Sequence, residues 1–291
     1  MGSIYFLDYY HPYAGLCNQL YLISNHIHQA FNKSVKLYIH KFNIDIFKKE
    51  RILASEVLNI EETNKNLEKL LGIPILQTEI PEFIQSIPKL CIYPVSSIEI
   101  LNCLEFNGSI LSEVNKVKSN FPNGYNAVHF RLDVDCILHY TFGKKVYNHF
   151  MDLANSDSES AERYYQTLDQ IKIQKYASFL MEQYFSFLLQ FGFDKPWYIS
   201  TSITKWKIHN PMVQYLNKML LFITSHSGEY HIHPRVYPQR ELNALVDLLV
   251  LRDSTKLIGF EGSSFSEGYC LKVNNVRKVT KNFLFVKEYY F

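Results

Sequence analysis

Asn126-Ala127-Val128-His129-Phe130-Arg131-Leu132-Asp133-Val134-Asp135 is the stretch whose reading decides the fold. Tyr125 to Phe130 reads as a buried strand, and the charges gather at its carboxyl end. Alternation along a strand would put His129, Arg131, Asp133 and Asp135 on one face. Four ionisable groups on one face are costly to bury. In open α/β sheets the carboxyl ends of the strands are where ligands sit. The same residues also suit a salt-bridge cluster at a sheet edge. Just upstream, Phe121-Pro122-Asn123-Gly124 is a strong turn signal, so the chain is expected to divide into one lobe over 1–122 and a second over 123–291.

Both lobes read as alternating strands and helices. In the first, Ile4–Leu7 is a strand, a loop follows, and Leu20, Ile23, Ile27, Ala30 and Phe31 recur at helical spacing within a helix over Asn18–Asn32. Val35–Ile39 is a second strand, completing the opening βαβ unit of a doubly wound sheet. Helices are expected near 48–58 and 61–71, and Pro74, Pro81, Pro88 and Pro94 leave little room for a long helix between 73 and 97. In the second lobe, residues 143–162 read as a mobile polar loop, and Tyr164–Phe191 as the longest helix. Strands follow at Pro196–Ser200, Tyr230–Ile232 and Leu257–Phe260, with helices near 211–221, over Leu242–Leu251 and over Phe265–Val273.

A chain of 291 residues suits two lobes of about 100–150 residues each. Its net charge of +2 supplies no field that would draw it to nucleic acid. The five cysteines form no C-x-x-C pair, which speaks against a zinc ribbon or a redox dithiol and fits a reducing compartment. No signal peptide and no run of about 18 apolar residues is present. The expectation is therefore a cytoplasmic enzyme, or one whose anchor has been removed.

Two further segments carry chemistry. Ile258-Gly259-Phe260-Glu261-Gly262-Ser263-Ser264-Phe265-Ser266 runs from a strand through Gly and Ser into a helix, a place where amides and hydroxyls receive an anion or where Ser simply caps the helix. Gly15-Leu16-Cys17-Asn18-Gln19 lies between the first strand and its helix, either as a donor-facing loop or as a glycine turn with an Asn cap.

In order and context these three segments resemble the fucosyltransferases that share a His-x-Arg motif, including the protein O-fucosyltransferase group and the α-1,2- and α-1,6-fucosyltransferases. Their G-x-x-N-Q loop is matched by Gly15 to Gln19, their His-x-Arg by His129-Phe130-Arg131, and their Ser/Thr-Ser-Phe-Ser element by Ser263 to Ser266, with Asp247 on a preceding helix. The plant-type branch, H-L-R-F-E-x-D-M, is similar in spacing to His129 through Cys136, although it has Gly-Gly where this chain has Ala14-Gly15. The resemblance implies a GT-B type α/β fold with two Rossmann-like lobes and a donor cleft between them. It implies an inverting, metal-independent transfer of L-fucose from GDP-fucose to a hydroxyl of a glycan or glycopeptide acceptor. UDP-L-rhamnose is the alternative donor.

By the same resemblance Arg131 grips the diphosphate. His129, Phe265, Ser263 and Ser264 line the donor, Asp247 contacts the base, and Gly15 and Asn18 approach the reacting centre. Asp135, or alternatively Asp133, is the candidate general base. No cofactor is expected beyond the nucleotide sugar, no metal, no nucleic-acid partner and no membrane span.

Competing readings exist. Asp133-Val134-Asp135 is also a D-x-D string of the kind that holds a divalent metal, but His129 and Arg131 interrupt the apolar strand such strings usually follow. His231-Ile232-His233 reads as a half-exposed strand face in preference to a metal pair, and His26 and His28 as surface residues. Trp197 and Trp206 read as packing, and Tyr289-Tyr290-Phe291 as a docked apolar tail. A catalytically inactive nucleotide- or carbohydrate-binding module is the reading from another class.

Overall fold

The computed structural model describes residues 4–7, 15–45, 50–79, 85–86, 98–203, 211–233, 240–267, 273 and 275–281. Its elements run β1 (Ile4–Leu7), α1 (Leu16–Asn32), β2 (Lys36–Ile39), β3 (Lys41–Asp45), β4 (Glu50–Leu53), α2 (Ala54–Val57), α3 (Ile60–Leu71), β5 (Gln85–Ser86), α4 (Ile98–Cys103) and α5 (Gly108–Lys118). They continue as β6 (Asn126–His129), α6 (Val134–Phe142), α7 (Lys144–Ser156), α8 (Ser158–Thr167), α9 (Gln170–Phe191), β7 (Trp197–Ser200), α10 (Val213–Ser225), β8 (Tyr230–Ile232), α11 (Arg240–Arg252), β9 (Leu257–Phe260), α12 (Ser264–Glu267) and β10 (Val276–Val279). The chain forms two compact units, Met1–Asn120 with Tyr237–Val250, and Phe121–Val236 with Leu251–Phe291.

The first unit holds a parallel sheet in the order β2-β1-β5 and an antiparallel pair, β3 with β4. Leu16, Leu20, Ile23, Ile27 and Ala30 of α1 are fully buried, a one-sided stripe at the period of a helix. α3 starts at Asn59, whose side chain accepts from the Glu62 N–H at 3.1 Å, and stops at Gly72, which takes φ 80°. Of the helix expected near 48–58, only Ala54–Val57 is helical, and Glu50–Leu53 is a strand instead. Ile52 pairs with Phe42, and this tertiary pairing overrides a Lys- and Glu-rich local preference.

The second unit is built on a five-stranded sheet, all parallel, in the order β10-β9-β6-β7-β8. Numbered from its own first strand this is 3-2-1-4-5 read from the β8 edge, the order of a nucleotide-binding α/β half. The chain reverses its direction of travel across the sheet between β6 and β9, and their carboxyl ends flank the resulting crevice. The three inner strands are buried on both faces, as in parallel sheets generally: every residue of β6, β7 and β9 is buried. α9 packs against α6, α10, β9 and β10, and supplies Tyr176, Leu180, Tyr184 and Leu188 to the core.

Two expectations about this unit change. The polar segment 143–162 is helical, as α7 and the start of α8. Its acids and serines are caps, not loop formers: the Asp157 carboxylate accepts from the N–H groups of Glu159 at 3.0 Å and Ser160 at 3.2 Å. The long helix expected from Tyr164 onward is interrupted at Leu168, and Asp169 caps α9 by accepting from the Lys172 N–H at 3.0 Å. Only the four residues of α12 represent the helix expected over Phe265–Val273 within the described residues. Trp197 is packing, fully buried and stacked on Phe191 at 6.4 Å. Trp206 and the Tyr289-Tyr290-Phe291 tail lie outside the described residues.

His28 is exposed, but His26 is not a surface residue. It is only 8% exposed, because α1 is covered on more than its apolar stripe, with Ser24 and Asn25 buried beside it. Burial lowers its pKa to about 4. A folded-state value below the unfolded one means that the unfolded chain takes the proton first. Stability is therefore lost as pH falls below about 6.5, and the loss levels off near the folded value. Between pH 7 and pH 4.5 this one residue is expected to remove about 2–3 kcal/mol. Urea unfolding followed by circular dichroism at the two pH values checks it: His26→Leu should shrink the pH difference by that amount, and an unchanged difference would contradict the assignment.

Candidate functional site

β6 leaves its neighbours one residue earlier than the alternating pattern suggests. The Phe130 N–H still donates to the Ser200 carbonyl at 2.8 Å, but the Arg131 N–H donates to the hydroxyl of Tyr184 at 3.0 Å instead of to a strand. The same hydroxyl donates to the His129 carbonyl at 2.8 Å. One tyrosine on α9 thus satisfies two main-chain groups where the ladder ends. Burial pushes the Tyr184 hydroxyl far above its usual pKa, so it keeps the proton it donates. His129, Arg131, Asp133 and Asp135 accordingly do not share one strand face. Asp133 occupies the N-cap position of α6, and Asp135 lies in its first turn.

This chain path wraps two carboxylates around the guanidinium. Arg131 Nε is 3.7 Å from Asp133 Oδ1, and one terminal nitrogen is 3.3 Å from Asp135 Oδ2. Asp133 Oδ2 also accepts from the Ser202 hydroxyl at 2.5 Å, which ties the cap to the loop after β7. Burial opposes the charge on Arg131, but Asp133 and then Asp135 outweigh it and raise its pKa well above normal. The neighbouring thiol of Cys136 is pushed upward, first by burial and then by Asp133, and stays protonated. About a third of the Arg131 side chain is open to solvent, against 6% of Asp133 and 22% of Asp135. The guanidinium is therefore permanently charged, held in place and still reachable.

Across the crevice, the turn after β9 brings up the second segment. Ser266 Oγ accepts from the Phe260 N–H at 2.9 Å and donates to the Phe260 carbonyl at 3.1 Å, closing the turn on itself. The fit at Gly259 is tight, since a Cβ would meet Ser266 Cβ at 3.2 Å. Gly262 turns the chain at φ 72°, and half-buried Ser263 leads into α12. Phe265 lies tilted against the His129 ring, with 4.6 Å between centroids, joining the two segments directly. The side chain of Ser264 lies outside the described residues. His129, Arg131, Asp133, Asp135, Ser263 and Phe265 thus belong to the carboxyl end of one sheet.

Gly15, Asn18 and Asp247 fall in the first unit. Gly15 precedes α1, and the Leu16 N–H donates to the buried carboxylate of Glu241 at 2.9 Å. A Cβ on Gly15 would stand 2.7 Å from that oxygen, so a larger residue would have to push the Glu241 carboxylate off the cap. Gln19 bonds both main-chain groups of Asn43, each at 2.9 Å, as a neighbouring strand would. Asn18 is exposed, and Asp247 is fully buried in α11. The Glu241 cap groups the start of α11 with the first unit, whereas the sequence reading counts all of 123–291 as one lobe. Sequence reasoning missed Tyr184, Ser202 and Glu241, because each acts on a partner 53 or more residues away.

His231 stacks on Tyr198 at 6.4 Å and meets Phe121 edge-on at 5.7 Å, the setting of an aromatic cluster and not of a ligand pair. Among the described residues no group of three or more His, Cys, Asp or Glu is placed to hold a metal ion, and no helix is long and apolar enough to cross a membrane.

No protein-family model matches the chain, and no curated protein matches it in sequence. Solved structures do share its fold. POFUT1 in complex with GDP-fucose aligns over 96% of this chain and 97% of its own at a TM-score of 0.59 and 10% identity. POFUT1 in complex with GDP aligns over 97% and 98% at 0.57 and 11% identity. The fucosyltransferase NodZ from Bradyrhizobium aligns over 94% and 93% at 0.50 and 12% identity. The chain therefore has the GT-B type α/β fold, with two Rossmann-like lobes, that these fucosyltransferases have.

Tyr184→Phe keeps the ring and removes the hydroxyl that the His129 carbonyl and the Arg131 N–H both use. It is expected to cost about 1–3 kcal/mol, measured by urea denaturation. A variant as stable as the parent would show that the hydroxyl does not hold this bend.

Proposed function

We propose that the chain is an inverting, metal-independent glycosyltransferase that moves L-fucose from GDP-fucose to a hydroxyl of a glycan or protein acceptor. The observation that carries this reading is the charged, reachable Arg131 at the carboxyl end of β6, beside the β9 crevice. The supporting comparison is the shared fold of POFUT1, a structure of which holds GDP-fucose. The roles of Gly15, Asn18 and Asp247 rest on the motif resemblance.

In the proposed reaction the bond between the sugar anomeric carbon and the diphosphate oxygen breaks, and its electron pair leaves with the diphosphate. The acceptor oxygen forms the new bond from the opposite face, and its proton passes to a base. A guanidinium fixed at the leaving oxygens acts where negative charge develops. Arg131 suits this because its planar fork can engage two phosphate oxygens at once. Its present contacts, 3.7 and 3.3 Å, are longer than the about 2.7–2.9 Å of tight charge-assisted bonds. A diphosphate can therefore outcompete the two carboxylates without the side chain being rebuilt.

Asp135 is the proposed general base, with Asp133 the alternative. Asp133 is committed to the Ser202 hydroxyl and is nearly closed to solvent, whereas Asp135 is more open. When the guanidinium turns to the diphosphate it leaves the Asp135 carboxylate, which is then free to take the acceptor proton.

Arg131→Ala should lower turnover with GDP-fucose by about 10²–10³-fold in a folded protein, and EDTA should leave the parent enzyme unaffected. Near-parent activity in the variant would overturn the arginine's role, and loss of activity in EDTA would favour the metal-binding reading of Asp133 and Asp135. A thermal-shift panel of GDP, UDP, GDP-fucose and UDP-rhamnose names the donor, since a ligand that binds only the folded state raises the melting point.

A further inference from the structure

A second cation stands at the carboxyl edge of the same sheet. Lys281 lies two residues beyond β10, and its Nζ rests against Gly262, where a side-chain Cβ would collide with the ammonium. The face of Tyr140, from α6, lies on its other side, 5.8 Å from ring centroid to Nζ. Tyr140 is itself backed by Phe260 at 6.1 Å. The main chain is fixed as well: the Tyr176 hydroxyl donates to the Lys281 carbonyl at 3.1 Å. The Glu261 carboxylate, close by, accepts from the Thr280 hydroxyl at 2.6 Å and from the Lys281 N–H, so it serves the end of the strand.

The location follows from the strand order. β10, β9 and β6 are consecutive neighbours, and strands are spaced about 4.8 Å apart. The chain segments that carry Lys281 and Arg131 therefore leave the sheet on opposite sides of β9. His139 on α6 lies within reach of the same cations. Its pKa is lowered first by burial and then by Lys144, Arg131 and Lys281. The ammonium is seated on an aromatic face and a bare glycine backbone, and it also interacts with the Glu261 carboxylate, whose hydrogen bonds go to the Thr280 hydroxyl and the Lys281 N–H.

We propose that Lys281 is a second anion-holding residue of the donor site, its ammonium receiving the diphosphate oxygens that lie over the Gly262–Ser263 turn while Arg131 takes those at the β6 end. The proposal rests on the nucleotide-sugar reading above. It also gives Gly262 a second reason to be glycine: beyond its φ of 72°, any side chain would displace the lysine from the turn.

Isothermal titration of GDP, GMP and UDP into the parent, Lys281→Gln and Lys281→Arg separates the possibilities. Lys281→Gln should weaken GDP by roughly ten- to a hundredfold and GMP far less, and Lys281→Arg should recover most of the loss. Lys281→Met serves where the Gln variant fails to fold. Undiminished GDP binding in the neutral variants, or equal losses for GDP and GMP, overturns the role of Lys281 and leaves the functional reading standing. A parent protein that binds none of the three nucleotides overturns the functional reading, and the lysine's role with it.

Discussion

Arg131 sits between Asp133 and Asp135, and the geometry of the second unit's site follows from how that arrangement is held. A lone guanidinium at the end of a buried strand would lose much of its hydration with nothing in return. Two carboxylates restore its charge, and they stand at the right places only because β6 ends at His129 and α6 begins at Val134. That abrupt change of direction leaves main-chain groups without ladder partners. Tyr184 supplies the missing partner from α9, a helix that also forms the floor of the core. Removing either acid would leave the guanidinium with one carboxylate partner instead of two. The cluster is therefore better understood as a held charge than as a stabilising bridge.

The arrangement is also poised. Long contacts hold Arg131 in position but satisfy it poorly, so an anion with better geometry can take it over. Asp133 is tied to Ser202 and stays behind, whereas Asp135, on the first turn of α6, has more freedom and more solvent. One short sequence thus contains a guanidinium held by long contacts, a carboxylate tied to Ser202 and a second carboxylate more open to solvent. The separation arises from burial and hydrogen bonding and not from any difference in chemical type between the two acids.

Much of the fold was legible because parallel strands and one-sided helices leave strong periodic signals. β1, β6, β7, β8 and β9, and helices α1 and α11, lie close to where apolar spacing places them. The segment 143–162 was misread because its serines and acids look like loop formers until Asp157 is seen capping α8. Within 48–58, Glu50–Leu53 was misread because its strand exists only through pairing with β3. At the site, Arg131 and its acids were legible as a charged run, but their alternation on one face was not correct. The cause of the bend, Tyr184, lies 53 residues away and looks in sequence like any other core aromatic on a long helix.

The motif residues divide by physical task. Gln19 replaces a strand partner for Asn43, Gly15 makes room for the Glu241 carboxylate, and Ser266 closes the turn after β9. Each of these solves a main-chain problem that few other residue types can solve at that spot. The strands around them need only be apolar and of suitable size, so their sequences are free to drift. The motifs therefore combine a handful of backbone solutions with the charges they position. Arg131 belongs to the second group, and the glycines, Gln19 and Ser266 to the first. A substitution in the first group would move the site by distorting its scaffold, whereas one in the second would leave the scaffold standing and remove the charge it was built to hold.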